Sequence, residues 1–175
     1  MTILRIRTFG DPVLRERCRD VEEFGPSLRR LYEDMLETMY DAPGVGLAAP
    51  QIGLSLRFFV FDPSPNEERR PGAVANPELS DADGEQTDEE GCLSVPNVWS
   101  PTTRAMSIRV TGQDLDGEPI SLGGEGLEAR IFQHEVDHLN ATLFIDRISD
   151  EDRRRVMAEL REREMAGHGR WRRRQ

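Results

Sequence analysis

The stretch GLEARIFQHEVDHL, residues 126–139, predicts an amphipathic helix that carries two histidines on its apolar face. His134 and His138 are four residues apart, so their rings lie on one side of a helix, one turn apart. Both rings can bind one metal ion, and Glu135 can reach a water held by that ion. The HExxH pattern therefore indicates metal-assisted hydrolysis.

Two histidines do not complete such a site, because catalytic zinc or iron usually takes three protein ligands. A chance match on a surface helix, or two structurally bonded histidines, are the alternatives. Burying unpartnered imidazoles is costly, which favours a metal. Downstream, Glu159, Glu162 and Glu164 could supply the third ligand, but their very polar helix fits a solvated face better. The third histidine of a metzincin is absent, since Phe144 occupies its position.

Size and charge restrict the class of protein. The 175 residues predict one domain over residues 1–166, followed by a basic, disordered tail over residues 167–175. The net charge of −10 argues against sequence-specific nucleic-acid binding. Neither a transmembrane run nor a signal-peptide apolar region is present, so we expect no membrane partner and a cytoplasmic protein. With two cysteines a disulfide scaffold is excluded, and Cys18 is expected to be a packed thiol.

Hydrophobic periods and turn residues predict the remaining elements. These are a helix over 27–40 with Ser27 as its N-cap, strands over 56–61, 73–77, 106–111 and 119–122, an acidic loop over 81–90, and a charged helix over 150–165. Asn140 is expected to take the left-handed conformation that ends the motif helix. Short strands mixed with helices, without βαβ alternation, indicate an α+β fold.

Two further segments contain residue types suited to chemistry. In EGCLSVP, residues 90–96, the thiolate of Cys92 would be a strong ligand for Zn²⁺ or Fe²⁺, although a buried apolar thiol is the commoner role. In GVGLAAPQ, residues 44–51, small residues permit close approach of a ligand to the backbone, although a glycine turn explains them equally well. Gln51 follows an apolar run, and a buried amide needs hydrogen-bond partners.

Taken together and in this order, the three segments resemble the peptide deformylase family. The family patterns GφGφAAxQ, EGCφS and QHExDH read here GVGLAAPQ, EGCLS and QHEVDH. The similarity covers roughly residues 3–150. It implies an α+β fold in which antiparallel β-sheets pack around a central HExxH helix, with an N-terminal and a C-terminal helix. It also implies removal of the N-formyl group from the formyl-methionine of newly synthesised proteins, with release of formate.

The resemblance implies roles for individual residues. The metal ligands would be Cys92, His134 and His138, and Glu135 would be the general base. The Gln51 side chain and the Leu93 backbone N–H would stabilise the oxyanion. The substrate would be bound by Val45, Gly46 and Ile131. An ion pair of Glu90 with Arg104 would brace the Cys92 segment. Fe²⁺ is the usual metal of the family, with Zn²⁺, Ni²⁺ or Co²⁺ as substitutes. Ala141 departs from the family, which often has glycine there.

Two alternatives to a deformylase are kept. One is a zinc peptidase that uses HExxH and a distant glutamate. The other is a metal-binding but catalytically silent homologue that serves as a ribosome-associated or regulatory module. We also hypothesise that the Arg-rich tail docks near ribosomal RNA at the exit tunnel, since basic clusters bind phosphate backbones; its arginines are Arg170, Arg172, Arg173 and Arg174.

Overall fold

A computed structural model describes residues 2–64 and 68–165. The helices are α1 (Pro26–Asp41), α2 (Leu127–Leu139) and α3 (Asp150–Met165), and short 3-10 helices lie at Pro12–Arg15, Ala49–Ile52 and Phe144–Asp146. The strands are β1 (Gly46–Ala48), β2 (Phe58–Phe61), β3 (Gly72–Asp83), β4 (Gln86–Cys92), β5 (Val95–Arg104), β6 (Ser107–Gln113) and β7 (Pro119–Glu125). The predicted α+β class is confirmed. The Arg-rich tail over residues 167–175 and its boundary at residue 166 lie outside the described residues.

Antiparallel pairing arranges the strands in a five-stranded sheet of order β1-β2-β3-β6-β7 and a separate β4–β5 ribbon. The sequence FFVF of β2 is buried on both faces of the sheet. Phe59 and Phe61 pack in one apolar cluster with Phe132 of α2, whereas Phe58 and Val60 pack in a second cluster with α1. A strand covered on both faces reads as a continuous apolar run, which explains the pattern predicted over 56–61.

Helix α2 lies between the sheet and the ribbon. On the sheet side, Phe132 meets Phe61 edge-to-face with ring centroids 5.0 Å apart, and Val136 is buried in the same cluster. On the ribbon side, charged side chains of α2 bond to Glu90 of β4 and Arg104 of β5. The expected central position of the HExxH helix is therefore confirmed. Within the described ranges, the helices are too short or too polar for any of them to cross a membrane.

The acidic loop predicted over 81–90 is wrong. Strand β3 continues to Asp83, and β4 begins at Gln86 after a tight turn. Apart from the buried Glu90, the side chains of this stretch are exposed or half-buried while the backbone pairs, so they carry no apolar period that would indicate a strand. The strand predicted over 73–77 is only the first part of β3, because its pairing with β6 shifts between Ala75 and Glu78.

Two predicted helix ends are also corrected. Gly25 rather than Ser27 precedes α1, and Pro26 occupies its first turn, where a missing N–H is tolerated. After α2, Asn140 has φ −104°, so it does not take the left-handed conformation. Ala141 does, with φ +62°. An alanine therefore sits where glycine would be free of Cβ strain.

Replacing Ala141 with glycine should stabilise the protein by about 0.5–1 kcal/mol, because glycine adopts φ +62° without steric cost. Urea unfolding of Ala141→Gly and of the wild type would measure this difference. Ala158→Gly, at an exposed position inside α3, is the matched control and should instead lose about 1 kcal/mol. A loss of stability in Ala141→Gly would contradict the strain assigned to this residue.

Candidate metal centre and active site

Three side chains place ligand atoms around one point. The Nε2 atoms of His134 and His138 are 3.2 Å apart, and Cys92 Sγ lies 3.2 Å from the Nε2 atom of His138. All three ligand atoms lie within 4.8 Å of one another. Two nitrogens bound at about 2.0–2.1 Å to one tetrahedral ion would be about 3.3 Å apart, so this arrangement fits a shared metal.

The local charges also favour a cation. Burial and the neighbouring His134 lower the pKa of His138 well below its ordinary value, which keeps this ring in the neutral form that binds metals. Burial alone would lower the pKa of His134, but the sulfur of Cys92 and the carboxylate of Glu90 raise it well above its ordinary value. Positive charge is therefore stabilised at the point where the three ligands meet.

Glu90 fixes the orientation of His134. Its Oε1 atom lies 2.7 Å from Nδ1 of His134, and this hydrogen bond leaves Nε2 free for a metal. The predicted ion pair is present, with NH2 of Arg104 donating to Oε1 at 2.7 Å. Arg130 donates to Oε2 at 2.6 Å. Burial by itself would raise the pKa of Glu90, but hydrogen bonds from His134 and Arg104 hold it well below its usual range.

Sequence reasoning missed three charged residues of this network. Arg104 donates through NH1 to Asp137 at 2.6 Å, and Arg147 donates to the other oxygen of Asp137 at 2.6 Å. Arg130, which holds Glu90, also donates to the carbonyl of Thr102. Arg130 and Asp137 are buried in α2, and charged residues inside a helix with an apolar face were the available signal.

Glu135 lies beside the ligands with one unsatisfied oxygen. Its side chain is buried, and this burial raises its pKa to about 7. Its Oε2 atom has no hydrogen-bond partner among the described residues. Its Oε1 atom packs so closely on Gly46 that a Cβ there would lie 2.3 Å away. The lack of a side chain at residue 46 is therefore a condition for the position of Glu135.

Hydrogen bonds hold the side chain of Gln51 next to Cys92. Its Oε1 atom accepts a hydrogen bond from the backbone N–H of Ala48 at 2.8 Å. Its Nε2 atom donates to Ser94 Oγ at 3.2 Å and lies 3.5 Å from Cys92 Sγ. Because Oε1 is occupied, the amide N–H₂ must point toward the ligands. The expected partners of this buried amide are thus identified.

These groups open on one cavity of about 920 Å³. Val45, Gly46 and Ile131, predicted to bind substrate, line it together with Leu93. Leu127, the first residue of α2, also lines the cavity and is half-exposed. The other predicted site residues on the wall are Gln51, Glu90, Cys92, His134 and Glu135.

Of the distant glutamates of the peptidase alternative, neither Glu159 nor Glu162 joins the centre, and the side chain of Glu164 lies outside the described part of the structure. Glu159 pairs with Arg163 within α3. In the part of the chain that the structure describes, the ligand cluster consists of Cys92, His134 and His138. Cys18 is buried apart from them, as predicted.

Comparison with known proteins identifies the same family as the three sequence motifs. The family model for polypeptide deformylase matches residues 3–154. A peptide deformylase of Acidothermus cellulolyticus is 48% identical over 95% of this chain and 91% of its own length. The crystal structure of a peptide deformylase from Legionella pneumophila superposes with a TM-score of 0.88 at 42% identity, covering 95% of this chain and 98% of the other. The crystal structure of the peptide deformylase from Thermotoga maritima superposes with a TM-score of 0.80 at 49% sequence identity, covering 85% of this chain and 99% of the other.

Removing the Cys92 thiolate should weaken Zn²⁺ binding by more than about 100-fold, since loss of groups outside the ligand set already costs 10–100-fold. Chelator competition with Cys92→Ser would measure the affinity. Cys18→Ser removes the other thiol, away from the ligand atoms, and should bind as the wild type does. Wild-type affinity in Cys92→Ser would contradict the sulfur ligand and reopen the peptidase alternative.

Proposed function

This chain belongs to the polypeptide deformylase family, and we propose that Glu135, Gln51 and Leu93 carry out its catalysis. It is a metal-dependent enzyme that removes N-formyl groups, and the family acts on formylated nascent peptides. One observation carries the proposal for the residues. A buried carboxylate, an oriented amide and two of the metal ligands, Cys92 and His134, line a single cavity, and the third ligand, His138, has its Nε2 atom 3.2 Å from the ligand atoms of both.

Glu135 is proposed to transfer the protons of the reaction. A divalent ion held by Cys92, His134 and His138 would supply Lewis acidity and lower the pKa of a bound water. Glu135 takes a proton from the attacking water and passes it to the leaving amine. A pKa near 7 suits a group that must both accept and release a proton at neutral pH. The products are formate and a free α-amine.

Gln51 and Leu93 are proposed to stabilise the charge that develops on the formyl oxygen. The hydrogen bond from Ala48 holds the Gln51 amide before substrate arrives, so no reorganisation is needed during reaction. The backbone N–H of Leu93, directly after Cys92, would be the second donor. A fixed pair of donors is effective because it needs no reorganisation as the charge develops.

The substrate is proposed to bind as an extended chain along β1. This strand lies at the edge of the five-stranded sheet, so the backbone near Gly46 can pair with a peptide. Val45 and Ile131 would contact the methionine side chain. A formyl carbon bears only hydrogen on its second side, so a narrow site can admit it and exclude acetyl.

The metal, compartment and partner are also proposals. A thiolate ligand donates charge and reduces the Lewis acidity of zinc, which favours Fe²⁺ in the cell; Zn²⁺, Ni²⁺ or Co²⁺ would bind in purified protein. The proposed compartment is the cytoplasm, because the family acts on newly synthesised chains and the relative from Acidothermus cellulolyticus is bacterial. Docking at the ribosomal exit tunnel by the Arg-rich tail is supported by its cluster of arginines in the sequence.

Formate release from formyl-Met-Ala-Ser by anaerobically purified enzyme tests the reaction and the metal together. Fe²⁺ protein should be active, and its activity should fall in air faster than that of Co²⁺ protein. No formate release at full Fe²⁺ occupancy would overturn the proposed function.

Replacing Glu135 with glutamine should lower kcat by about 10²–10⁴-fold, because the proton acceptor is lost. Metal content, measured on the same sample, should stay at the wild-type level. Glu128→Gln, on the same helix but outside the cavity wall, is the control and should leave kcat unchanged. A Glu135→Gln enzyme with near wild-type kcat and full metal would exclude Glu135 as the general base.

Adding a methyl group at Gly46 should lower kcat by about 10²-fold, since it would displace Glu135 by an ångström or more. Steady-state kinetics and Zn²⁺ affinity would be measured together, with affinity changing little. Gly123→Ala is the matched control, because a Cβ there meets nothing within 4 Å. If Gly46→Ala and Gly123→Ala were equally active, the close contact with Glu135 would have no catalytic meaning.

A further inference from the structure

Four charged side chains form a closed ring between α2 and the β4–β5 ribbon. Nδ1 of His134 lies 2.7 Å from Glu90, and Glu90 accepts two hydrogen bonds from Arg104, at 2.7 and 3.2 Å. Arg104 also donates a hydrogen bond through NH1 to Asp137, at 2.6 Å. Asp137 follows His134 by three residues on α2, so the ring closes through the helix itself.

We propose that Asp137 is a positioning residue for the metal centre, acting through Arg104 and Glu90 on His134 and Cys92. Arg147 completes the arrangement from the surface. It donates two hydrogen bonds to Asp137, at 2.6 and 3.1 Å, while its own side chain is 50% exposed. The ligand set thus depends on an acidic residue that touches neither metal nor substrate.

The first argument is geometric. Arg104 is almost fully buried, with Nε and NH2 on Glu90 and NH1 on Asp137. Without Asp137, NH1 would lose its charged partner, and burial of an unsatisfied charged donor is strongly unfavourable. Arg104 would shift to recover a partner and would move Glu90 with it. Cys92 lies two residues after Glu90 on β4, so its sulfur would move relative to α2. Metal sites tolerate deviations of only about 0.2 Å.

The second argument is electrostatic. Two carboxylates, Glu90 and Asp137, face three guanidinium groups, of Arg104, Arg130 and Arg147. Removing the charge of Asp137 would leave one carboxylate against three cations beside a site that must bind a fourth. Around the buried Glu90 such repulsion is weakly screened, so the guanidinium groups would compete for its carboxylate and displace it from His134.

Co²⁺ binding to the metal-free full-length protein tests this inference. Asp137→Asn keeps the shape of the side chain but removes its charge, and we expect about tenfold weaker Co²⁺ affinity by chelator competition. The absorption bands of the bound Co²⁺ should shift as well, since the ligand geometry changes. Asp146→Asn is the control: it breaks contacts with Arg15 and Arg153 outside the ring, and its affinity and spectrum should match the wild type.

A second variant set separates positioning from folding. Arg147→Gln should shift the Co²⁺ absorption bands by less than Asp137→Asn does, because Asp137 keeps its bond to Arg104. In a Glu90→Gln background, Asp137→Asn should add less than twofold, because its effect passes through Glu90. An Asp137→Asn protein with wild-type affinity and spectrum, or equal effects in both backgrounds, would overturn the proposal, whatever its melting temperature. These measurements use no substrate, so they can fail while the catalytic roles of Glu135, Gln51 and Leu93 stand.

Discussion

The buried carboxylate of Glu90 is the constraint on which the rest of the site depends. It accepts hydrogen bonds from His134, Arg104 and Arg130, and these donors come from α2 and β5. A buried charge left without partners is destabilising by several kcal/mol, so the ribbon has little freedom to move relative to the helix. Cys92 lies on the same strand as Glu90. Fixing that one carboxylate therefore brings the sulfur to two histidines that lie about forty residues further along the chain.

Burial of β2 on both faces determines where Gly46 and the segment before it lie. Because α1 and α2 cover opposite faces of this strand, the chain leaving α1 must pass along the sheet edge as β1. There the backbone N–H of Asp62 donates to the carbonyl of Val45 at 2.9 Å, which ties the segment before Gly46 to the end of β2. Gly46 then lies directly against Glu135. Packing of the core thus sets the distance between the edge strand proposed to bind substrate and the carboxylate of Glu135.

Much of this arrangement follows from local sequence signals. The period of α2, the apolar run of β2, the β6–β7 hairpin and the three ligands were predictable, since each depends on residues close in sequence or on a motif with a known chemical purpose. The strands within 81–90 were not, because that stretch has no buried apolar side chain and its pairing is carried by the backbone. The roles of Arg130, Asp137 and Arg147 were not predictable either, since a charged side chain does not indicate its distant partner. Ala141 takes a conformation that its own preference opposes, so tertiary packing overrides it.

The polar interior of this enzyme is better explained by reactivity than by stability. Apolar side chains of similar volume often replace buried ion pairs without loss of stability, so the network around Glu90 is not required for a stable core. Glu135 is a second polar group that does not favour stability, because its Oε2 is buried without a partner among the described residues. Such an oxygen is unfavourable in the folded chain unless water or substrate engages it. The charged ring restricts the movement of the ligands, and the unsatisfied Oε2 of Glu135 fits its proposed role as the proton acceptor.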